Sequence, residues 1–252
     1  MTGPRPVLDS GLGSGQGIWE VATSPTLKVG TRGSLEDGRV FYYARSSGPQ
    51  ILAGRLLRAV GVDSQNEDLA VNTAQIGDAN VTVTFGTTTA DANDYAGGYL
   101  FLIDAAAEGI THEILSHAAV TSGGSIVINL KDPIYIAFQD VTTVTVMKNL
   151  WQDLVAVPVT APVSIYAGVP QVRVPAGNAG TAQYFWSQTW GASCGTLDDS
   201  NLIAGAPLTA STRLAGGGGM GFSTGQKPDI AAINLGPSER TENNPVFLKI
   251  SQ

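Results

Sequence analysis

From Asp37 to the C terminus, no twelve-residue stretch carries apolar residues at helical spacing, and this constrains the fold more than any single motif. A period of two takes its place. In Asn80-Val-Thr-Val-Thr-Phe85, Val81, Val83 and Phe85 face one way while Asn80, Thr82 and Thr84 face the other. Thr142 to Met147 alternates in the same manner, and Tyr99 to Ile103 is apolar on both parities, as a strand covered on two faces would be. Ile110 to His117, Ser125 to Leu130 and Ile134 to Phe138 are further strand candidates, set apart by Asp104 to Gly109, Gly123-Gly124 and Asp132-Pro133. Strands at intervals of roughly 8–12 residues with turn signals between them predict an all-β chain, an antiparallel sandwich or barrel with almost no helix.

The first commitment to a core is Arg39-Val-Phe-Tyr-Tyr43, bounded by Asp37-Gly38 and Ser46 to Pro49. Ile51 to Val60 follows as a second strand; its Leu-Leu-Arg-Ala-Val portion fits one helical turn, but Ala53-Gly54 favours strand. Upstream, Met1 to Glu36 holds seven glycines and three prolines, and only Ile18-Trp-Glu-Val21 offers apolar surface. It reads as an extended arm with Trp19 as its anchor, either on a partner or back on its own body. Trp151 to Val163, with Pro158 and Pro162, reads as a connection between two halves. The later half is expected to hold an extended Pro170 to Pro175, an aromatic strand from Gln183 to Trp190, strands at Leu208 to Leu214, Ile230 to Leu235 and Val246 to Ile250, and a flexible Ala215 to Gly221 loop. The expected organisation is an arm over 1–36, a first β domain over 37–155 and a second over 156–252, with no fixed-period repeat.

Composition narrows the function classes. Charged residues make up 14 % of the 252, against about 25 % in ordinary soluble domains. The net charge of −7 and the absence of a basic run exclude a nucleic-acid surface. No run approaches the ~18 apolar residues of a membrane-spanning helix. The first sixteen residues lack the cationic and apolar regions of a secretory signal, so the expectation is a protein made in a cytosol and kept or assembled there. A single cysteine, Cys194, rules out an internal disulfide framework and a cysteine-based zinc cluster, and is expected to be a small buried side chain.

Tests for chemistry assign no catalytic, cofactor-binding or metal-ligating residue. His112 and His117 are five apart, whereas a zincin helix needs four, and an odd separation in a strand sends the rings to opposite faces. Structural histidines are the better reading. The glycine runs at Gly11 to Gly17 and Ala215 to Gly221 lack the strand, the helix and the Gly-Lys-Ser/Thr of a phosphate cradle. Gly191-Ala-Ser-Cys-Gly195 has the wrong spacing for a nucleophile elbow. The acidic stretches Asp63 to Asp68 and Asp91 to Asp94 read as solvated turns, with a loose calcium site left open because the EF-hand glycine and glutamate are missing. Tyr184, Trp186 and Trp190, with Phe185 opposite, read as core plus interface, and a carbohydrate-stacking platform is the rival.

The segments Asp37-Gly-Arg-Val-Phe-Tyr-Tyr-Ala-Arg45, Leu52-Ala-Gly-Arg-Leu-Leu57, Asp94-Tyr-Ala-Gly-Gly-Tyr-Leu-Phe-Leu-Ile-Asp-Ala-Ala-Ala-Glu-Gly109 and Val127-Ile-Asn-Leu-Lys-Asp-Pro-Ile-Tyr-Ile-Ala-Phe138 resemble β-rich capsid decoration, or cement, proteins of tailed bacteriophages. The likeness covers about Asp37 to Val159. It implies a virion structural protein on the outer capsid surface, assembled in the host cytoplasm, that clamps capsomers of the major capsid protein and is not an enzyme. It also implies self-association as a homotrimer or homodimer, without nucleic acid, membrane or cofactor. The expected contact residues are Trp19, Trp186 and Trp190. A fibre or tail component and a carbohydrate-binding β-sandwich module are the alternatives.

Overall fold

The computed structural model describes residues 3–104, 107–139, 141–160, 165–177, 181–200, 202–216, 218–219 and 230–251. The chain is all-β and its strand ladders are antiparallel. Two compact units emerge: Met1–Val60 with Trp151–Gln252 forms one, and Gly61–Leu150 forms the other. The division therefore differs from the serial one expected from the sequence. The reason is long-range strand pairing, which joins an early strand to late ones and leaves the middle of the chain to close on itself.

The first unit begins with β1 (Val7–Leu8), β2 (Arg32–Ser34), β3 (Val40–Arg45) and β4 (Leu57–Arg58). The second contains β5 (Leu69–Ala70), β6 (Asn80–Thr84), β7 (Tyr99–Leu102), β8 (Thr111–His117), β9 (Ser125–Leu130) and β10 (Thr143–Met147). The chain then returns to the first unit through β11 (Val155–Ala156), β12 (Val169–Pro170), β13 (Tyr184–Thr196), β14 (Pro207–Ala210), β15 (Gly218–Gly219), β16 (Ala232–Asn234) and β17 (Asn243–Lys249). The one helical element among the described residues is a 3-10 turn, Ser64–Asn66, capped by Asp63.

The second unit is a six-stranded sheet in the order β5-β10-β7-β8-β9-β6. It nearly closes, because Val71 bridges Val83 and the Asn72 N–H donates to the Thr82 carbonyl at 3.0 Å. Closure at so few strands leaves an interior that side chains fill. Val81, Val83, Leu100, Leu102, Ile114, Ile128, Val144 and Val146 form that filling with Phe85 and Phe138. The alternation expected at Asn80 to Phe85 is present, with Val81, Val83 and Phe85 buried. Ile134 to Phe138 is not a strand. It is a loop tied to the β5–β6 connection by Ile134 N–H to the Asp78 carbonyl and by a single bridge between Phe138 and Ala74. Asp132-Pro133 starts that loop, and proline removes a ladder donor.

In the first unit a nine-stranded sheet runs β1-β2-β3-β13-β17-β16-β14-β15, with β12 beside β13. The thirteen-residue β13 is its axis, pairing with β3 through Tyr184 to Trp190 and with β17 through Trp190 to Thr196. Both faces of β13 are covered: Phe185, Trp186, Ser187, Gln188 and Thr189 are all buried. The expected strand over Ile51 to Val60 shrinks to Leu57–Arg58 plus one bridge from Ile51 to Val174. Gly54 causes the break; its φ of +77° is open to glycine, and a Cβ there would run into Asn243. Of the Ala215 to Gly221 run, Gly217, Met220 and Gly221 lie outside the described residues, as do Ala161, Pro162 and Val163 of the expected connection.

The 1–36 segment is part of this sheet. β1 pairs with β2, β2 pairs with β3, and Ile18 is fully buried beside Phe41, Tyr43 and Trp186, with Leu8, Leu27 and Leu35 packed around them. Of the two placements open to the arm, on a partner or on its own body, the structure shows the second.

Candidate interaction surfaces

Trp186, Trp19 and Trp190 are in three different situations. Trp186 is fully buried, its Nε1–H donates to the Gln16 carbonyl at 2.9 Å, and Tyr43 meets it edge-on at 5.3 Å. Trp186 is therefore no contact surface for a partner. Alternation placed it on a face with Tyr184, but over Phe185 to Thr189 both faces of β13 are interior. Gln16 is the residue that sequence reading missed. Tyr43 donates to its Oε1 at 2.9 Å, and its Nε2 donates to the carbonyls of Glu20 and Tyr184 at 2.9 and 3.0 Å. A buried amide with every group engaged locks the glycine-rich segment onto the sheet. Trp19 lies over Gly3, whose hypothetical Cβ would stand 2.8 Å from the indole, and keeps 49 % of its surface exposed. Trp190 is half-buried and edge-on to Phe247 at 5.5 Å.

The titratable groups are occupied structurally. In β8 the register shifts between Ile114 and Ser116, so Leu115 is extra and exposed. A bulge of one residue restores parity, and His112 and His117 are both buried instead of facing opposite ways. The His117 Nε2 accepts the Tyr95 N–H at 2.9 Å and its Nδ1 lies 2.6 Å from the Ala118 carbonyl, which assigns the proton to Nδ1. Burial pushes the His112 pKa below its ordinary value, opposed by a hydrogen bond with the Asp132 backbone. Burial likewise raises the pKa of Tyr95, whose hydroxyl accepts from Asn66 Nδ2 at 2.7 Å.

The acidic stretches hold turns. Asp63 Oδ1 caps the Gln65 N–H at 2.9 Å, and Asp94 lies 3.5 Å from Lys148. Among the described residues no three His, Cys, Asp or Glu side chains gather as metal ligands. Cys194 is exposed, contrary to the buried thiol expected, because β13 turns Ala192 and Cys194 outward beyond Gly191. A buried Ser211 hydroxyl donates to Asp198 and accepts the Arg213 and Leu214 N–H groups at 2.9 and 2.8 Å. That is a turn cap. A half-open apolar pocket of about 30 Å³ between β13, β14, β16 and β17 is lined by Leu56, Val169, Leu208, Val246 and Leu248.

What the barrel leaves uncovered is unevenly distributed. Strand direction puts the β5–β6, β7–β8 and β9–β10 connections at one end and the chain's entry and exit at the other. The connection end carries Ile76, 69 % exposed, Ile103, 44 %, Tyr135, 62 %, and Val141, 68 %. Gly77 N–H donates to the Ile134 carbonyl at 2.7 Å, which seats the Ile76 turn beside Tyr135. Ile103 N–H donates to the Thr143 carbonyl at 3.1 Å, which seats Ile103 beside the segment carrying Val141. At the other end, the described residues of 61–68, 85–98, 118–124 and 148–150 include no exposed large hydrophobic side chain. Comparison with known proteins gives no match to any family model, curated protein or solved structure.

Proposed function

We propose that this protein is a virion structural component, a decoration or cement protein on the outer capsid surface of a tailed bacteriophage, assembled in the host cytoplasm. Its work is to bury surface: each copy bridges neighbouring capsomers of the major capsid protein and resists the outward pressure of the packaged genome. A contact of standard size, about 1,600 Å² per copy, is enough when it repeats over a whole shell. Self-association as a trimer at local threefolds or a dimer at twofolds follows from the symmetry of such sites. No catalytic step is part of this reading.

The observation that carries it is a low-charge all-β body that keeps large apolar side chains outside, with Ile76, Ile103, Tyr135 and Val141 in the loops at one end of the 61–150 barrel and none at its other end among the described residues. The resemblance over Asp37 to Val159 adds support. The test is the copy number of the protein in purified native particles, counted against the major shell protein. The expected ratio is one per shell subunit or a simple lattice fraction of it. A handful of copies per particle would move the assignment to a fibre or tail part, and absence from the particle would overturn it.

A further inference from the structure

The loops at the connection end of the 61–150 barrel combine two features. The first is the apolar group Ile76, Ile103, Tyr135 and Val141. The second is charge of one sign. The described residues of 71–79, 103–110 and 131–142 carry Asp78, Asp104, Glu108 and Asp132 against a single lysine, Lys131. Asp78, Asp104, Glu108 and Asp132 are exposed, and Lys131 is bound to Glu113 at 2.6 Å. Exposed apolar side chains and acidic ones on the same loops are the composition of a docking face whose counterpart offers apolar surface and basic side chains.

Resting on the decoration reading above, we propose that this end of the barrel is the face that seats on the shell, and that its receptor is an apolar patch of the shell protein accompanied by Lys or Arg. A second copy is the wrong occupant, because two such ends would bring acidic side chains together. Nucleic acid and anionic lipid carry the same sign as these side chains and are disfavoured in the same way. The aromatic anchor is Tyr135, with Ile76 beside it; aromatic side chains at the centre of a contact carry a disproportionate share of its binding energy.

The experiment uses shells assembled from the major capsid protein alone, mixed with full-length wild-type protein or variants, with attachment measured across protein and salt concentration. The triple variant Ile76→Ser, Tyr135→Ser, Val141→Ser is expected to attach at least about tenfold more weakly. The double variant Glu108→Lys, Asp132→Lys, which leaves the apolar group intact, is expected to lose attachment at low salt, with the difference shrinking as salt screens these charges. Leu115→Ser, exposed on the β8 bulge, is expected to attach like wild type. Unchanged melting temperatures establish that the variants fold, and the charge double variant keeps the test decisive if the apolar triple does not. Variants that attach as well as a wild type that itself attaches would overturn this assignment and leave the decoration reading standing. Failure of the wild type to attach would overturn both. A triple variant that instead lowers the oligomeric size of free protein would overturn the assignment in favour of self-contact.

Discussion

The 1–36 segment and the connection end of the barrel look alike in sequence and are anchored differently in structure. Both mix turn residues with a few apolar side chains: Ile18 and Trp19 in one, Ile76 and Tyr135 in the other. In the first, Ile18 is fully buried and Gln16 satisfies four groups around Trp186 and Tyr43, while Val7, Leu12 and Trp19 stay exposed. In the second, four large apolar residues remain outside. The difference lies in what each meets. The N-terminal segment finds the aromatic face of a sheet to cover, whereas the barrel takes Ile134 and Phe138 from these loops into its core and leaves Ile76, Ile103, Tyr135 and Val141 outside. An apolar residue in a loop is therefore informative only once the surface beneath it is known.

The largest expected effect comes from removing residues 3–36. This uncovers Phe41, Tyr43 and Trp186, each fully buried and each stabilised by about 1.5–3 kcal/mol through burial. The truncated chain is expected to lose its cooperative thermal transition for the first unit, read by near-ultraviolet circular dichroism; a sharp transition at the wild-type temperature would show the segment to be dispensable. Next is Trp186→Ala, expected to destabilise by about 3–5 kcal/mol in chemical denaturation. Gln16→Ala should cost less, about 1–3 kcal/mol, because it removes the acceptor of the Tyr43 hydroxyl and a donor to the Glu20 and Tyr184 carbonyls. If Gln16→Ala is silent, the lock on the segment lies elsewhere.

A pH titration sharpens the comparison from the barrel's side. Burial holds the pKa of His112 below 6.5 in the folded state. The unfolded chain therefore takes up the proton first, and unfolding is favoured as pH falls. The barrel's stability is expected to be fully present above about pH 6.5 and to decline below it until the folded value is passed. His112→Phe should flatten that slope; an unchanged slope would assign the dependence to other groups. The smallest effects belong to Ile76→Ser and Val141→Ser, expected to change stability by no more than about 0.5 kcal/mol each. A larger loss in urea unfolding would mean those side chains support the fold instead of facing a partner.

Much of the fold was legible because alternation reports which side of a strand is covered. Asn80 to Phe85 and Ser125 to Leu130 sit where the period of two places them, and Thr143 to Met147 is a strand in which Thr145 is buried along with Val144 and Val146. Partner choice was not legible, since pairing between Tyr184 and Arg45 spans most of the chain and leaves no local mark. The Leu115 bulge was hidden for a related reason: one inserted residue inverts parity, and nothing in the residue types of Ile114-Leu-Ser116 announces it. Trp186 was misread because alternation identifies a shared face without saying that a strand central to its sheet has both faces covered. Tyr135 was hidden inside an apolar run that reads as a strand, although Asp132-Pro133 marks the loop.

Hydroxyl-radical footprinting of the free protein and of the same protein on its native particle tests the central contrast most directly. Oxidation of Tyr135 and Ile76 is expected to drop on the particle, while Trp186 is protected in both states. Protection that appears at Trp19 and leaves Tyr135 and Ile76 as reactive as in free protein would contradict it and make the N-terminal segment the contact.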